Sequence, residues 1–266
     1  MFNGSVPRLA GLVLAISMMI AAPAGADPLK DEIAPTGRLR VAIAISSAGG
    51  TFWCSKNESG DYSGVPVDLG KEMAAQLGVP VEHVAYHNSG QITDVAAKAL
   101  WDVTFVPQDA ERMTRMAFGS VYDVVDATYI VKPGSSVTNF AQLDQPGTKV
   151  AAEYNTTTMR GASAHLKNAK VIEYQTFEEI FALLKNGEID AFALSRGQLN
   201  AMAKKIPGTR VLDETFKKTS TAVAVPLDHP LALAFVTKFM DDAMSNGLLR
   251  RAYDNNGQID KPIRVK

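Results

Sequence analysis

From Leu39 onward, strand-like and helix-like stretches alternate, and two extended apolar runs break the alternation: Ala127-Thr128-Tyr129-Ile130-Val131 and Thr221-Ala222-Val223-Ala224-Val225-Pro226. The alternation is the signature of an α/β protein with mostly parallel sheets. Each interruption separates one α/β series from the next, so the chain is expected to leave a first lobe, build a second and return, with a cleft between them. Residues 27–127 and 222–266 then form lobe 1, residues 128–221 form lobe 2, and crossing strands lie near 127–131 and 221–225.

In the first series, residues 39–45, 81–86 and 102–106 read as strands. Helices are predicted over 67–77, where Leu69, Met73, Ala74 and Leu77 share helical spacing, and over 93–100. The second series reads as strands over 149–152, 170–174 and 190–194, with helices over 157–166, 177–184 and 197–204. Residues 230–253 are helical in spacing and pack on one lobe. No fixed-period repeat is present, which excludes a solenoid.

Residues 1–26 read as a secretory signal rather than as structure. Arg8 supplies a weakly basic start, residues 9–22 an apolar run, and Ala24-Gly25-Ala26 a small-x-small site before Asp27, so cleavage is expected after Ala26. The run is short for a membrane span, and no later stretch approaches that length. Cys54 is the sole cysteine, so no intrachain disulfide forms, and an inert thiol is expected there. A formal net charge of −1 without basic clusters argues against nucleic acid or an anionic membrane surface as partner.

One arginine is placed for anion binding. The strand over 102–106 runs into a turn, Asp109 stands where a helix cap belongs, and Arg112 follows in the first helical turn. A guanidinium there offers two parallel N–H bonds to a carboxylate, beside helix N-terminal amides, which suits a small organic anion. The competing reading is an ion pair with Glu111. No phosphate loop, dinucleotide fingerprint or nucleophile elbow occurs. His83 and His87 are four apart but straddle a strand end, so they need not share a face, and neither metal nor cofactor is expected.

Five separated stretches carry a resemblance. They are Thr36-Gly37-Arg38-Leu39-Arg40-Val41-Ala42; Gly64-Val65-Pro66-Val67-Asp68-Leu69; Trp101-Asp102-Val103 with Asp109-Ala110-Glu111-Arg112 and Phe118-Gly119-Ser120-Val121-Tyr122; residues 150–157; and Gly187-Glu188-Ile189-Asp190-Ala191-Phe192-Ala193-Leu194-Ser195. In order and spacing the chain resembles the extracellular solute-binding proteins of family 3, receptors that feed polar amino acids to ABC importers. The resemblance implies a two-lobed periplasmic binding protein fold of type II, with two crossing hinge strands. It also implies a periplasmic, monomeric binding protein rather than an enzyme, which captures a small carboxylate-bearing solute by hinge closure and passes it to an ABC permease in the inner membrane.

Carried over by residue, Arg112 is the carboxylate clamp, and Thr156 with Asn155 completes the anion site at a helix start. Phe52 or Trp53 is the ring that packs on the ligand, with ordinary core packing as the alternative. Three departures stand out. Ser195 replaces the family's ammonium-pairing aspartate, which makes a standard α-amino acid doubtful. Phe105 and Pro107 replace hydroxyl or glycine positions and make the lobe-1 pocket more apolar. Asp109 replaces a threonine and reads as a helix N-cap or an ammonium contact. Arg196 and Glu153 are open as a second clamp and a cation receiver, or as surface charges. Two other functions stay open: a periplasmic dehydratase-like enzyme for cyclic carboxylic acids, and a non-transport accessory protein.

Overall fold

A computed structural model describes residues 1, 27–47 and 49–263; the predicted signal and its cleavage site lie outside the described residues. After α1 (Pro28–Ile33), the chain builds β1 (Leu39–Ile45), β2 (Trp53–Lys56), β3 (Tyr62–Ser63), α2 (Val65–Leu77), β4 (Val81–Tyr86), α3 (Ser89–Asp94) and β5 (Val103–Pro107). β1 pairs in parallel with β4 and β5 and is buried along most of its length, as a parallel strand covered on both faces should be.

β6 (Met116–Val131) then carries the chain away. The second series follows as α4 (Phe140–Leu143), β7 (Lys149–Glu153), α5 (Thr157–His165), β8 (Lys170–Tyr174), α6 (Phe177–Asn186), β9 (Ala191–Ser195), α7 (Arg196–Ala203) and β10 (Arg210–Val211). β11 (Lys217–Pro226) returns, and α8 (Pro230–Ser245) and α9 (Leu248–Asn255) finish the described chain. Among the described residues the strands join in the order β3-β2-β1-β5-β11-β6-β9-β7-β8, with β4 beside β1 and β10 beside β6.

The fold is two-lobed because β6 and β11 belong to both halves of this sheet. They pair antiparallel with each other from Lys217↔Ala127 to Pro226↔Met116. Residues 221–224 of β11 pair with β5, whereas residues 127–131 of β6 pair with β9. Both are longer than the apolar runs predicted, since only 127–131 of β6 are uniformly buried while its earlier residues are mostly half-exposed. Separate cores result: Leu39, Phe105, Tyr122 and Phe239 share one with α2 and α8, and Ile180, Phe192 and Leu199 share another with α6 and α7. Phe105 packs edge-on against Tyr122 at 6.1 Å.

Two predicted helices differ. The helix over 93–100 is instead α3, which starts earlier because the Asn88 side chain accepts from Gln91 N at 3.0 Å and caps it. A short 3-10 turn, Ala96–Lys98, follows it. The helix over 230–253 is broken at Gly247, whose φ of 82° lies where an α-helix cannot continue. Arg112 opens a 3-10 turn, Arg112–Thr114, rather than an α-helix. Cys54 is buried, and burial raises its thiol well above the usual range, which fits an inert thiol. No helix among the described residues is long and apolar enough to cross a membrane.

Candidate ligand-binding site

The loops at the strand ends of the two halves meet over a void of about 20 Å³, lined by residues including Phe52, Trp53, Ser89, Pro107, Glu153, Thr156, Ser195 and Gln198. That volume admits about one water.

Arg112 sits at this junction and is fully buried, at 0 % exposure. The β5-to-turn geometry holds it: its Nη1 donates to the Pro107 carbonyl at 2.7 Å, and Nη2 donates to Ser89 Oγ at 2.7 Å. Nη2 also reaches the Asn155 carbonyl in the other half at 3.4 Å. Its Nε has no partner. Burial, then repulsion from Arg160, lowers its pKa to about 9, so it stays a cation at neutral pH with incomplete compensation. The predicted pair with Glu111 does not form; Glu111 pairs with Arg115 instead.

The Asp109 side chain accepts from Arg112 N at 3.1 Å, two residues before Glu111, the N-cap of the 3-10 turn. It also accepts from Arg160 Nε, a residue of α5, at 2.8 Å. Burial pushes its carboxyl up, but the Arg112 amide and Arg160 outweigh it and hold the pKa below the usual value.

Opposite Arg112, Asn155 takes a left-handed φ of 48° that asparagine tolerates better than most residues. Its carbonyl accepts from Arg160 at 3.1 Å as well as from Arg112, and its side chain donates to Asp94 at 2.8 Å. Thr156 caps α5: its Oγ accepts from Met159 N at 3.1 Å and donates to the Glu153 carbonyl at 2.9 Å. Phe52 and Trp53 are both buried, with ring centroids 4.8 Å apart; both line the void and both also pack in an apolar cluster with Ile92, Trp101 and Val106.

Other expectations separate from this cluster. Phe105 does not line the void; it packs in the core of the first half, edge-on against Tyr122. Pro107 lines it and contributes its carbonyl to Arg112. Arg196 is not a second clamp; its guanidinium donates at 2.9 Å to each of the carbonyls of Leu212, Asp213 and Glu214 and so braces that loop. Glu153 is no surface charge: it is 1 % exposed, and neither carboxylate oxygen has a partner.

Two residues escaped the sequence reading. Ser89 opens α3 directly after its cap Asn88, four residues before the start predicted for that helix. Gln198 accepts from Ser195 Oγ at 2.6 Å through its Oε1 and lines the void from α7.

The chain matches the family model for bacterial extracellular solute-binding proteins, family 3, over residues 41–258. It is 26% identical over 210 residues to the glutamine-binding protein of Geobacillus stearothermophilus, covering 73% of this chain and 74% of that protein. It is 24% identical over 261 residues to the cyclohexadienyl dehydratase of Pseudomonas aeruginosa, covering 96% of this chain and 94% of the relative. A crystal structure of an ancestral amino acid-binding protein, described as a precursor of cyclohexadienyl dehydratase, superposes with a TM-score of 0.74 at 26% identity, covering 86% of this chain and 99% of that one. With two crossing strands, a cleft between the halves and a family match over most of its length, the chain belongs to the bacterial extracellular solute-binding proteins, family 3.

Proposed function

We propose that the protein is a periplasmic receptor of an ABC importer, capturing a small carboxylate-bearing solute, an amino acid or related organic acid, by closure of its halves about hinges near 127–131 and 221–225. The observation that carries this reading is Arg112: a fully buried cation whose Nε is unpartnered and whose Nη2 already reaches across the cleft. A ligand carboxylate supplies the missing acceptor, the N-terminal amides of α5 after Thr156 add positive potential, and Phe52 and Trp53 wall the apolar part. The glutamine-binding relative and the ancestral amino acid-binding protein support an amino-acid-like solute. The permease recognises the closed arrangement, which the ligand stabilises by touching both halves at once.

Calorimetry with a panel of amino acids and organic acids tests the clamp. Removing one partner of a buried charge pair costs about 2–5 kcal/mol, so Arg112→Ala should weaken binding by roughly thirtyfold or more. Unchanged affinity in the variant would refute the role.

One observation favours a second reading. Glu153 carries a proton at neutral pH, and the cyclohexadienyl dehydratase relative spans nearly the whole chain, so an enzyme that protonates a leaving hydroxyl of a cyclic acid is the alternative. Product formation from such acids in the presence of the protein distinguishes turnover from binding.

A further inference from the structure

Buried polar groups without partners are rare in folded proteins, and each asks for a reason. Several of them adjoin the void: Trp53 Nε1, Gln198 Nε2 and both oxygens of Glu153 lack partners, and all three residues line it. Arg112 Nε, held behind Ser89 and Pro107, joins them. Trp53, Gln198 and Arg112 present donors, as a site for an anion requires. Glu153 presents acceptors and no compensating donor, which a site built for an anion alone would avoid.

Its position makes the contrast specific. Glu153 ends β7 two residues before Asn155, whose carbonyl accepts from Arg112, so the carboxyl and the guanidinium flank one turn. No ion pair among the described residues joins the two. Ser195 cannot supply negative charge, and its hydroxyl is already donated to Gln198.

We propose that Glu153 is a specificity-determining residue of the site: it receives a cationic amino group of a ligand whose carboxylate lies against Arg112. The inference rests on the carboxylate-receptor reading above. It supplies from β7 the counter-charge that the end of β9 lacks, so the ligand is a zwitterion.

The neighbourhood makes the pairing pH-dependent. Glu178, in the first turn of α6, is the charged group that acts on Glu153, and Tyr174 lies opposite it on β8. Burial first, and Glu178 second, push the Glu153 carboxyl up to about 8. Below that pH the group holds a proton before the ligand arrives. Binding a cation breaks the carboxyl O–H bond, sends the proton to solvent and leaves a carboxylate that accepts the ammonium N–H. Affinity for a zwitterion therefore rises about tenfold per pH unit up to about 8 and levels above it.

The experiment is calorimetry at pH 6, 7 and 8, in buffers of different ionisation enthalpy. The probes are the standard L-amino acids, γ-aminobutyrate and matched carboxylic acids lacking the amino group, and the proteins are wild type, Glu153→Gln and Arg112→Ala. Expected are release of about one proton per zwitterion at pH 7 and a roughly thirtyfold or greater loss of zwitterion affinity in Glu153→Gln, with the matched acids unaffected. Zwitterion binding without proton release in the wild type overturns the inference, and this readout stands even if the variant fails to fold. So does a wild-type preference for matched acids that Glu153→Gln abolishes, which marks a proton donor instead. If both probe classes depend on Arg112 but not on Glu153, the receptor reading stands and this inference alone falls. If no carboxylate-bearing probe binds the wild type, the receptor reading falls first.

Discussion

Gly90, in the first turn of α3, lies against the turn before α5 in the other half, and replacing it with alanine should hold the halves apart. A Cβ built at Gly90 runs into the Tyr154 carbonyl oxygen and meets Asn155 Cβ at 2.8 Å and the Asn155 carbonyl oxygen at 2.9 Å. Real Cβ atoms keep at least 3.0 Å, so α3 must retreat from backbone that cannot rotate away. The same retreat stretches Asn88 Nδ2 to the Gln175 carbonyl, now 2.8 Å, Asn155 Nδ2 to Asp94, and the 3.4 Å contact of Arg112 with the Asn155 carbonyl. Overpacking costs about 1–3 kcal/mol and each weakened hydrogen bond about 1 kcal/mol, so the closed arrangement loses roughly 2–4 kcal/mol. Because the solute needs that arrangement, its apparent affinity should drop roughly thirtyfold to several hundredfold. Neither core is touched, and alanine is the better helix former by about 1 kcal/mol, so the urea unfolding midpoint should hold or rise. Small-angle scattering should show a larger radius of gyration in the presence of solute. Wild-type affinity and wild-type scattering in Gly90→Ala would refute the close approach as a condition of binding.

Glu153→Gln should stabilise the ligand-free protein at neutral and alkaline pH but not in acid. The folded carboxyl is raised from 4.5 to about 8, so the unfolded chain loses its proton first and stability declines as pH rises across that window. The gain is on the order of 3 kcal/mol at pH 7 and fades towards pH 4, and equal urea midpoint differences at pH 4 and pH 8 would count against it. Phe105→Ala should cost about 3–5 kcal/mol of stability in urea denaturation while leaving solute affinity intact, because its ring fills the core and not the void. Lost affinity in a folded Phe105→Ala protein would return Phe105 to the site.

The legible parts of this protein share one property: they are written in local periodicity or in a turn that one residue enforces. The crossing strands showed because 127–131 and 221–225 are buried, β-rich and apolar; their extensions to Met116 and Lys217 were hidden by half-exposed residues. Arg112 was legible because a strand, a turn and an aspartate preceded it. Its partner Ser89, 23 residues away, was not, and Asn155, 43 residues away, was reached only through the family resemblance, because the fold alone brings these residues together. Phe105 and Pro107 share a face of β5, yet only Pro107, at the strand end, lines the void, while Phe105 lies deeper against Tyr122. Arg196 adjoins Ser195 in sequence, yet the carbonyls it serves belong to the loop after β10.

The contacts that hold the two halves together bear on the proposed control of closure by a small solute. Asn88 to Gln175, Asn155 to Asp94, Ser47 to Glu178 and Arg160 to Asp109 are polar, and most are exposed or half-exposed, so each contributes at most about 1 kcal/mol. Among the described residues no shared apolar core seals the cleft; the cores lie on either side of it. Against that weak seam stand buried groups that go unsatisfied when the halves meet: Trp53 Nε1, Arg112 Nε, Gln198 Nε2 and the Glu153 carboxyl, each costing about 1–3 kcal/mol when left unpaired. Closing without a solute gains little from the seam and buries these groups unpartnered. A ligand that offers a carboxylate to the donors and an ammonium to Glu153 removes several of those costs at once, and only when both halves surround it. The differential affinity that hinge closure requires therefore comes from the orphaned groups themselves.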